Sequence, residues 1–122
     1  MGTFQVSISV LNPEKPTKEI NLDKVLVDTR AEYSWAPAES LQRAGIHIRK
    51  KDVPFLMANG KQITRDIGYA IIRCNEFETV DEIVFGREGD LRILGSRTLE
   101  GFGATVDARR KKLVASGPLP AA

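Results

Sequence analysis

The chain has 122 residues, 42% of them hydrophobic, and a formal net charge of +2, which is typical of one globular domain with a core of its own. So small a net charge gives no general attraction to nucleic acid or to an anionic membrane, and neither is expected as a partner. The single cysteine, Cys74, excludes an internal disulfide and a metal or redox site built on paired cysteines.

Near the first residue, no basic segment leads into a long apolar run, so neither a signal peptide nor a membrane-spanning segment is predicted. A cytoplasmic location is therefore expected. Apolar and polar residues alternate from Phe4 to Val10, which predicts a strand with one buried face.

A second alternating stretch begins at Ile20, after a polar turn with two prolines, and runs into the sequence VLVDT at residues 25–29. The segment PAESLQRAGI then predicts a short helix, with Pro37 near its start and Gly45 just beyond its end. Proline fits the first turn because its missing N–H would have no partner there, and glycine stops the helix because it tolerates a left-handed conformation.

Two hairpins are predicted in the middle of the chain. The Asn-Gly dipeptide at 59–60 predicts a type I′ turn, since this dipeptide readily takes two positive φ angles. Residues 69–74 and 79–85 form a second pair of β-prone runs around Asn75. Cys74, at the end of the first run, is expected to be a buried and reduced thiol.

The last third of the chain completes a mainly β pattern. A short strand at 91–94 meets Gly95 and a helix of one to two turns around 98–102. Two short strands around a basic turn follow, and a proline-rich tail covers about 117–122. With no repeat and no linker, the sequence predicts one domain over 1–122, a partly closed barrel with two short helices.

Most familiar catalytic and metal-binding patterns are missing. His47 is the only histidine, which leaves no base for a Ser/His/Asp or Cys/His set and no multi-histidine metal site, and it is interpreted as a strand residue with one face against the core. No complete phosphate-binding glycine loop is present, so no cofactor and no metal are predicted. The remaining acidic clusters are interpreted as surface turns: Asp81, Glu82, Glu88 and Asp90.

Asp28 is the candidate that these exclusions leave. It follows the apolar run Val25–Val27, and the end of such a strand is an unusual place for a carboxylate. Asp28 could cap the following turn, or it could take part in catalysis. One carboxylate cannot act as general acid and general base together, so catalysis would require a second carboxylate.

The order of several motifs resembles that of the retropepsin-like aspartic peptidases, in particular their small soluble bacterial members. The apolar run with Asp28 and Thr29 precedes Ala31, a proline-containing stretch and a short helix ending in Gly-Ile. The segment FLMANGKQITRDIGYAIIRC resembles the hairpin called the flap, RILG at 92–95 resembles the apolar-apolar-glycine motif, and TVDARRKKLV fits the end of such a domain. The resemblance covers nearly the whole chain.

This resemblance implies a retropepsin-like half-barrel of the acid-protease fold with one flap hairpin, acting as a homodimer on a peptide or protein substrate. Each chain would contribute Asp28 to a pair of carboxylates that share a proton and activate water for peptide hydrolysis. Thr29, whose hydroxyl would fix the geometry of the pair, and Ala31 belong to the same motif. The other site residues that the resemblance implies are the flap tip, Met57, Ala58, Asn59, Gly60 and Lys61, and the support behind the Asp28 loop, Ile93, Leu94 and Gly95.

Arg30 departs from the family pattern, which has glycine after Asp-Thr or Asp-Ser. Its side chain could block the floor of the cleft, and a guanidinium close to Asp28 favours the ionised form of that carboxylate, so the shared proton would be lost. We expect Arg30 either to pair with Asp28, which favours a catalytically inactive peptide-binding or structural module, or to point outward, which leaves a weak acid-pH protease. An unrelated small-barrel binding module is a third reading.

Overall fold

The structure is a computed structural model that describes residues 4–121. Residues 1–3 and 122, which the predicted domain and its tail include, lie outside the described residues. Within the described range, nine strands and two helices follow one another. The strands are β1 (Phe4–Leu11), β2 (Glu19–Val27), β3 (Ser34–Pro37), β4 (Ile48–Leu56), β5 (Gln62–Cys74), β6 (Phe77–Gly86), β7 (Ile93–Leu94), β8 (Ala104–Asp107) and β9 (Lys112–Ala115), and the helices are α1 (Ala38–Arg43) and α2 (Ser96–Phe102).

The main sheet is mixed, and its pairings close into a ring. The order β1-β2-β7-β3-β6-β5-β4 is completed by a pairing of β1 with β5, so that only β4 lies outside the ring. The contacts β2–β7 and β3–β6 are parallel, while the long hairpins β4–β5 and β5–β6 are antiparallel. The prediction of a mainly β domain with two short helices is confirmed.

The core follows the predicted alternation. In β1, Phe4, Ile8 and Val10 are buried while Gln5 and Ser7 are exposed, which confirms the strand with one inward face. The main core cluster continues through β2, β5, β6 and both helices. Cys74 is buried as predicted, and this burial raises the pKa of its thiol.

A smaller apolar cluster joins the β4–β5 hairpin to the segment after Asp28. Its buried members are Trp35 of β3, Ile67 of β5 and Val84 of β6. Half-buried side chains from both regions pack against them: Tyr33, Val53, Phe55, Met57, Ile63 and Ile93. This second cluster therefore places one face of the hairpin against β3 and the loop that precedes it.

The helices begin and end close to the predicted boundaries. Helix α1 is shorter than PAESLQRAGI, but Gly45 lies beyond it with φ +72°, which confirms the glycine stop. Helix α2 begins at Ser96, earlier than predicted, and Gly103 ends it with φ +67°. The strand predicted at 91–94 is limited to β7, and Leu91 is exposed.

The turn predicted at Asn59-Gly60 is of a different type. A type I′ turn needs a positive φ at both Asn59 and Gly60, but of these two residues only Gly60 has one, +83°, so the type I′ prediction is wrong. The Gly60 N–H donates to the Met57 carbonyl and the Met57 N–H to the Lys61 carbonyl, which makes a three-residue loop ending in a left-handed glycine. The Lys61 N–H donates to the Asn59 Oδ1 at 2.9 Å, so the asparagine side chain stabilises this loop.

His47 is also placed differently from its interpretation. It precedes β4 and is exposed, with its Nε2 atom 3.9 Å from a Glu14 carboxylate oxygen. The interpretation as a strand residue against the core is wrong. The neighbouring Ile46 is buried instead, so in the sequence GIHI it is this isoleucine that faces the core.

Candidate functional site around Asp28

Asp28 lies where β2 ends beside β7. Val27 is paired with Leu94 in parallel register, and the Asp28 N–H donates to the Leu94 carbonyl at 3.1 Å. Leu94 is fully buried, which makes this anchor part of the core. The placement of Asp28 thus depends on a strand distant in sequence as well as on its own.

The Asp28 carboxylate also organises the turn that follows it. Its Oδ1 accepts the Arg30 N–H at 3.0 Å, and its carbonyl accepts the Ala31 N–H at 3.2 Å. This is the turn-capping role weighed for Asp28 from the sequence. Within residues 4–121, no hydrogen bond reaches the Oδ2 atom, and the side chain is 21% exposed. One oxygen is held by backbone and the other is free to bind water or a ligand.

The Arg30 side chain is close to Asp28 but weakly attached. Its Nε atom is 3.8 Å from the Asp28 Oδ1, beyond hydrogen-bond distance, and the side chain is 82% exposed. No side-chain hydrogen bond of Arg30 is present among the described residues. Such an exposed contact holds its partners loosely, because water and salt screen it. In this chain the guanidinium points outward while remaining beside the carboxylate.

The loop after Arg30 is anchored to the start of α2. The Ser96 N–H donates to the Ala31 carbonyl at 2.8 Å, and the Arg97 N–H donates to the Glu32 carbonyl at 3.1 Å. Thr29 is exposed and Ala31 is half-buried. The predicted motif residues 28–31 are therefore adjacent, and their backbone is attached to β7 and α2.

Gly95 allows this close approach. A Cβ at this position would overlap the carbonyl group of Tyr33 and come close to the Glu32 carbonyl oxygen. Its φ of −92° is accessible to any residue, so the requirement for glycine is one of space. Of the residues predicted to support the Asp28 loop, Leu94 binds the Asp28 amide through its carbonyl, and Gly95 lies against the backbone of Glu32 and Tyr33. Ile93 packs in the second apolar cluster.

A buried polar network lies beneath the loop. The Gly95 N–H donates to the Ser34 Oγ at 3.0 Å, the Ser34 and Thr98 hydroxyls are 2.5 Å apart, and the Thr98 hydroxyl donates to an Asp81 oxygen at 2.8 Å. Ser34 and Thr98 are both fully buried. Because Thr98 uses its hydrogen on Asp81, the Ser34 hydroxyl donates to Thr98, and every member is satisfied.

The interpretation of Asp81 and Glu82 as turn residues is wrong. Both lie inside β6 and are half-buried. Glu82 accepts hydrogen bonds from Lys50 at 2.8 Å and from Arg97 at 3.2 Å, and the Arg97 guanidinium lies 4.7 Å from the centre of the Tyr33 ring. The hydrogen bond from Lys50, with that from Arg97, holds the pKa of Glu82 below its ordinary value despite partial burial.

Asp90 is likewise more than a surface residue. Its two oxygens accept the Arg65 Nε and Nη2 groups at 2.7 and 3.0 Å, and both side chains are mostly buried. The hydrogen bond from Arg65, with one from the Arg87 amide, lowers the pKa of Asp90. Glu88, between these residues, is exposed as predicted.

The predicted flap tip lies at the end of the β4–β5 hairpin. Met57 is half-buried in the second apolar cluster, and residues 58–61 are exposed. Two residues before Met57, Phe55 packs on aromatic side chains. The centroid of its ring is 5.5 Å from that of Tyr33 and 5.2 Å from that of Trp35. Within the described chain, no hydrogen bond or ion pair joins residues 57–61 to Asp28. The hairpin thus contacts the segment after Asp28 through apolar side chains close to its tip.

The other surfaces give less chemistry. Among residues 4–121, no three acidic, histidine or cysteine side chains are grouped closely enough to hold a metal ion. Neither helix of that range is long and apolar enough to cross a membrane. An open cavity of about 280 Å³ is lined by Asn12, Pro13, Glu14, Gly45, Ile46, His47, Arg49, Tyr69 and Val80, and Asp28 is not among them.

Comparison with known proteins adds no assignment. No protein-family model matches this chain, and no curated protein is similar to it. The function must therefore be argued from the geometry around Asp28.

Proposed function

We propose that this chain is the subunit of a retropepsin-like, homodimeric aspartic endopeptidase whose activity on ordinary peptides is limited by Arg30. The observation that carries the proposal is the state of the Asp28 carboxylate. The Asp28 backbone N–H donates to the Leu94 carbonyl at the end of β2, which fixes the position of the residue. One carboxylate oxygen accepts the Arg30 N–H, and the other has no hydrogen-bond partner among residues 4–121, on a side chain that is 21% exposed. A catalytic carboxylate needs this combination of a fixed orientation and a free oxygen.

Two copies of Asp28, one from each chain, would form the catalytic pair. Two carboxylates in one site do not ionise together, so one keeps a proton while the other accepts a proton from water. The resulting hydroxide attacks the peptide carbonyl carbon, and the protonated carboxyl donates to the carbonyl oxygen, which gives a tetrahedral intermediate. The carboxyl that took the proton from water then passes it to the amide nitrogen, the C–N bond breaks and the amine leaves. As the new carboxylic acid forms, one hydroxyl of the intermediate returns a proton to the other carboxylate, which restores the pair. The ring of strands and the α2 contacts support this pair by holding each Asp28 loop in place.

The exposed Thr29 and the hairpin fit further parts of this proposal. Thr29 is free to reach the partner chain, and Met57 to Lys61 would close over an extended peptide at the tip of β4–β5. Apolar residues close to the hairpin tip, with Phe55 against Tyr33, provide a covered wall beside the Asp28 loop. The proposed location is the cytoplasm, with which the free Cys74 thiol is compatible.

A second candidate is a peptide-binding module without catalysis, and Arg30 is the observation that favours it. Its Nε atom is 3.8 Å from the Asp28 carboxylate. A long side chain where the family pattern has glycine takes up space beside Asp28 that an approaching peptide bond would need. Such a module would bind an extended peptide beneath the hairpin and release it uncut.

The peptidase is tested by incubating an unfolded protein with the chain between about pH 4 and pH 7 and comparing wild type with Asp28→Asn. We expect cleavage that is lost in the variant. Asp23→Asn is the matched control, because Asp23 is an exposed carboxylate on the same strand and should leave cleavage unchanged. Binding of peptide without cleavage in the wild type would support the binding module instead.

The shared pair is tested by mixing wild-type chains with Asp28→Asn chains and letting the subunits exchange. If both Asp28 groups are needed, activity falls roughly with the square of the wild-type fraction. A linear fall would show that each chain works alone and would contradict the dimeric site.

Arg30→Gly should raise the cleavage of neutral peptides, and unchanged Asp28-dependent activity would contradict the inhibitory role of Arg30.

A further inference from the structure

The Arg30 guanidinium has unused binding capacity at the mouth of the Asp28 site. A guanidinium carries five N–H donors in a planar fork. Within the described chain, Arg30 has one ion pair, the 3.8 Å contact of its Nε atom with Asp28, and its side chain is 82% exposed. Glu32, the next acidic residue along the chain, makes no ion pair with it. The Nη groups are therefore free to bind an anion from solution.

The position of Arg30 determines which anion could use these donors. Its backbone N–H is bound to the Asp28 Oδ1, so the side chain starts within one turn of the proposed catalytic carboxylate. A peptide lying across Asp28 would bring the residues on either side of its scissile bond to the guanidinium. Carboxylates match the guanidinium fork with two parallel hydrogen bonds, which neutral side chains cannot do.

We propose that Arg30 selects peptides with a carboxylate beside the scissile bond, and that this carboxylate takes the guanidinium away from Asp28. This inference rests on the proposed function of the same site. A bidentate partner competes well with a single contact of 3.8 Å that is open to solvent. Once the guanidinium is bound to the substrate carboxylate, it no longer occupies the space beside Asp28.

The selectivity can be measured apart from catalysis with the Asp28→Asn variant. The probes are a fluorescent peptide with glutamates at its centre and a copy with glutamines in their place, both with blocked ends. We expect about tenfold tighter binding of the acidic peptide, the effect of one charge-assisted contact. The preference should disappear in Asp28→Asn/Arg30→Gln and persist in Asp28→Asn/Lys15→Gln, which removes an exposed charge elsewhere.

Two further arms complete the test. A glutamine peptide with a free C-terminal carboxylate distinguishes a terminal carboxylate from an acidic side chain as the bound group. Wild-type chain should bind the acidic peptide more weakly than Asp28→Asn does, because Asp28 competes for Arg30. Equal affinity for all peptides, no binding of any, or a preference that survives loss of Arg30 would overturn the inference.

Cleavage of the same peptides separates this inference from the proposed function. If the acidic peptide binds more tightly but the wild type cleaves neither peptide, the selectivity of Arg30 is supported and the peptidase activity is contradicted. If both peptides are cleaved at equal rates in an Asp28-dependent way, the peptidase activity is supported and the selectivity is contradicted. With both correct, the acidic peptide is cut about tenfold faster in kcat/KM, and Arg30→Gly removes this difference between the two peptides.

Discussion

The turn around Asp28 and the polar network beneath it are both held by hydrogen bonds, but they differ in burial. The network of Ser34, Thr98 and Asp81 has its two hydroxyls fully buried, and each of its groups has a partner. The turn is partly open, with a free carboxylate oxygen on Asp28 and an exposed guanidinium on Arg30. The structure thus places a rigid support directly behind a surface that remains available to ligands.

This difference matters because burial changes what a lost contact costs. A buried polar group without a partner loses its hydrogen bond and cannot recover one from water, whereas an exposed group can. Changes beneath the loop should therefore reduce stability, and changes in the turn should alter function with little effect on stability. Four substitutions test this contrast, in order of decreasing expected loss in the free energy of unfolding.

The largest effect is expected for Gly95→Ala. The new methyl group would overlap the Tyr33 carbonyl, and backbone cannot move aside as a flexible side chain can. We expect a loss of about 3 kcal/mol in the free energy of unfolding, measured by denaturant titration. Gly103→Ala is the control, since open space surrounds Gly103 and only its positive φ is unfavourable, at about 1 kcal/mol.

Equal losses in the two glycine variants would show that space at Gly95 is not limiting. The tight contact of the 95–98 segment with Tyr33 would then be able to relax, and the support behind the Asp28 loop would be softer than the structure indicates.

Thr98→Val tests the buried network while keeping the size of the side chain. The fully buried Ser34 hydroxyl loses its acceptor, and the half-buried Asp81 carboxylate loses one of its two donors and keeps the Glu82 N–H. We expect a loss of about 2 kcal/mol, measured by thermal and denaturant unfolding. Thr64→Val, at an exposed site in β5, should change stability by less than about 0.5 kcal/mol. A similar small change in both would mean that the network contributes little.

Loss of the Arg65–Asp90 pair should cost less than the two changes above, and its cost should depend on pH. Arg65→Gln should cost about 1.5 kcal/mol near neutral pH because a mostly buried, bidentate contact is lost. Arg65 lowers the pKa of Asp90, so the stabilisation is complete above the pKa of an unfolded aspartate, about 3.9. It is lost as the pH falls through the lower pKa of the folded state.

The measurement is the difference in unfolding free energy between wild type and Arg65→Gln from neutral pH down to acid. That difference should shrink below about pH 4. Arg73→Gln is the control, since its pair with Glu78 is about half exposed on both sides and should contribute little at any pH. A difference that stays constant on acidification would show that Arg65 acts through packing alone.

Local patterns predicted most of the elements but few of the contacts that support the site. Alternation identified β1, and Gly45 marked the end of α1, because both depend on neighbouring residues. Ser34, Asp81 and Thr98 carry no such local signal. They meet because β3 pairs in parallel with β6 and α2 packs on β6, and these pairings join distant parts of the chain.

Two individual errors have different causes. Two adjacent acidic residues predict a surface turn at Glu82, yet Lys50 and Arg97 come from other elements and make its position in β6 favourable. The Asn-Gly pair permits a type I′ turn without requiring it, and a loop with one left-handed glycine forms instead. Asp28 itself could be placed at the end of a strand from the sequence, but the contact with Leu94 could not.

The smallest effect on stability is expected at the most exposed position, in Arg30→Gln. The guanidinium has one long contact and is surrounded by water, so its removal should change the free energy of unfolding by less than about 0.5 kcal/mol. The backbone N–H of residue 30 still donates to Asp28, so the turn remains. Unfolding and peptide cleavage should be measured on the same preparation, with Lys15→Gln as the charge control. A loss above about 1 kcal/mol would mean that Arg30 holds the turn together. Unchanged stability with changed cleavage would show that the exposed turn affects the ligand and not the fold. This is expected of a residue that contacts only solvent and one carboxylate.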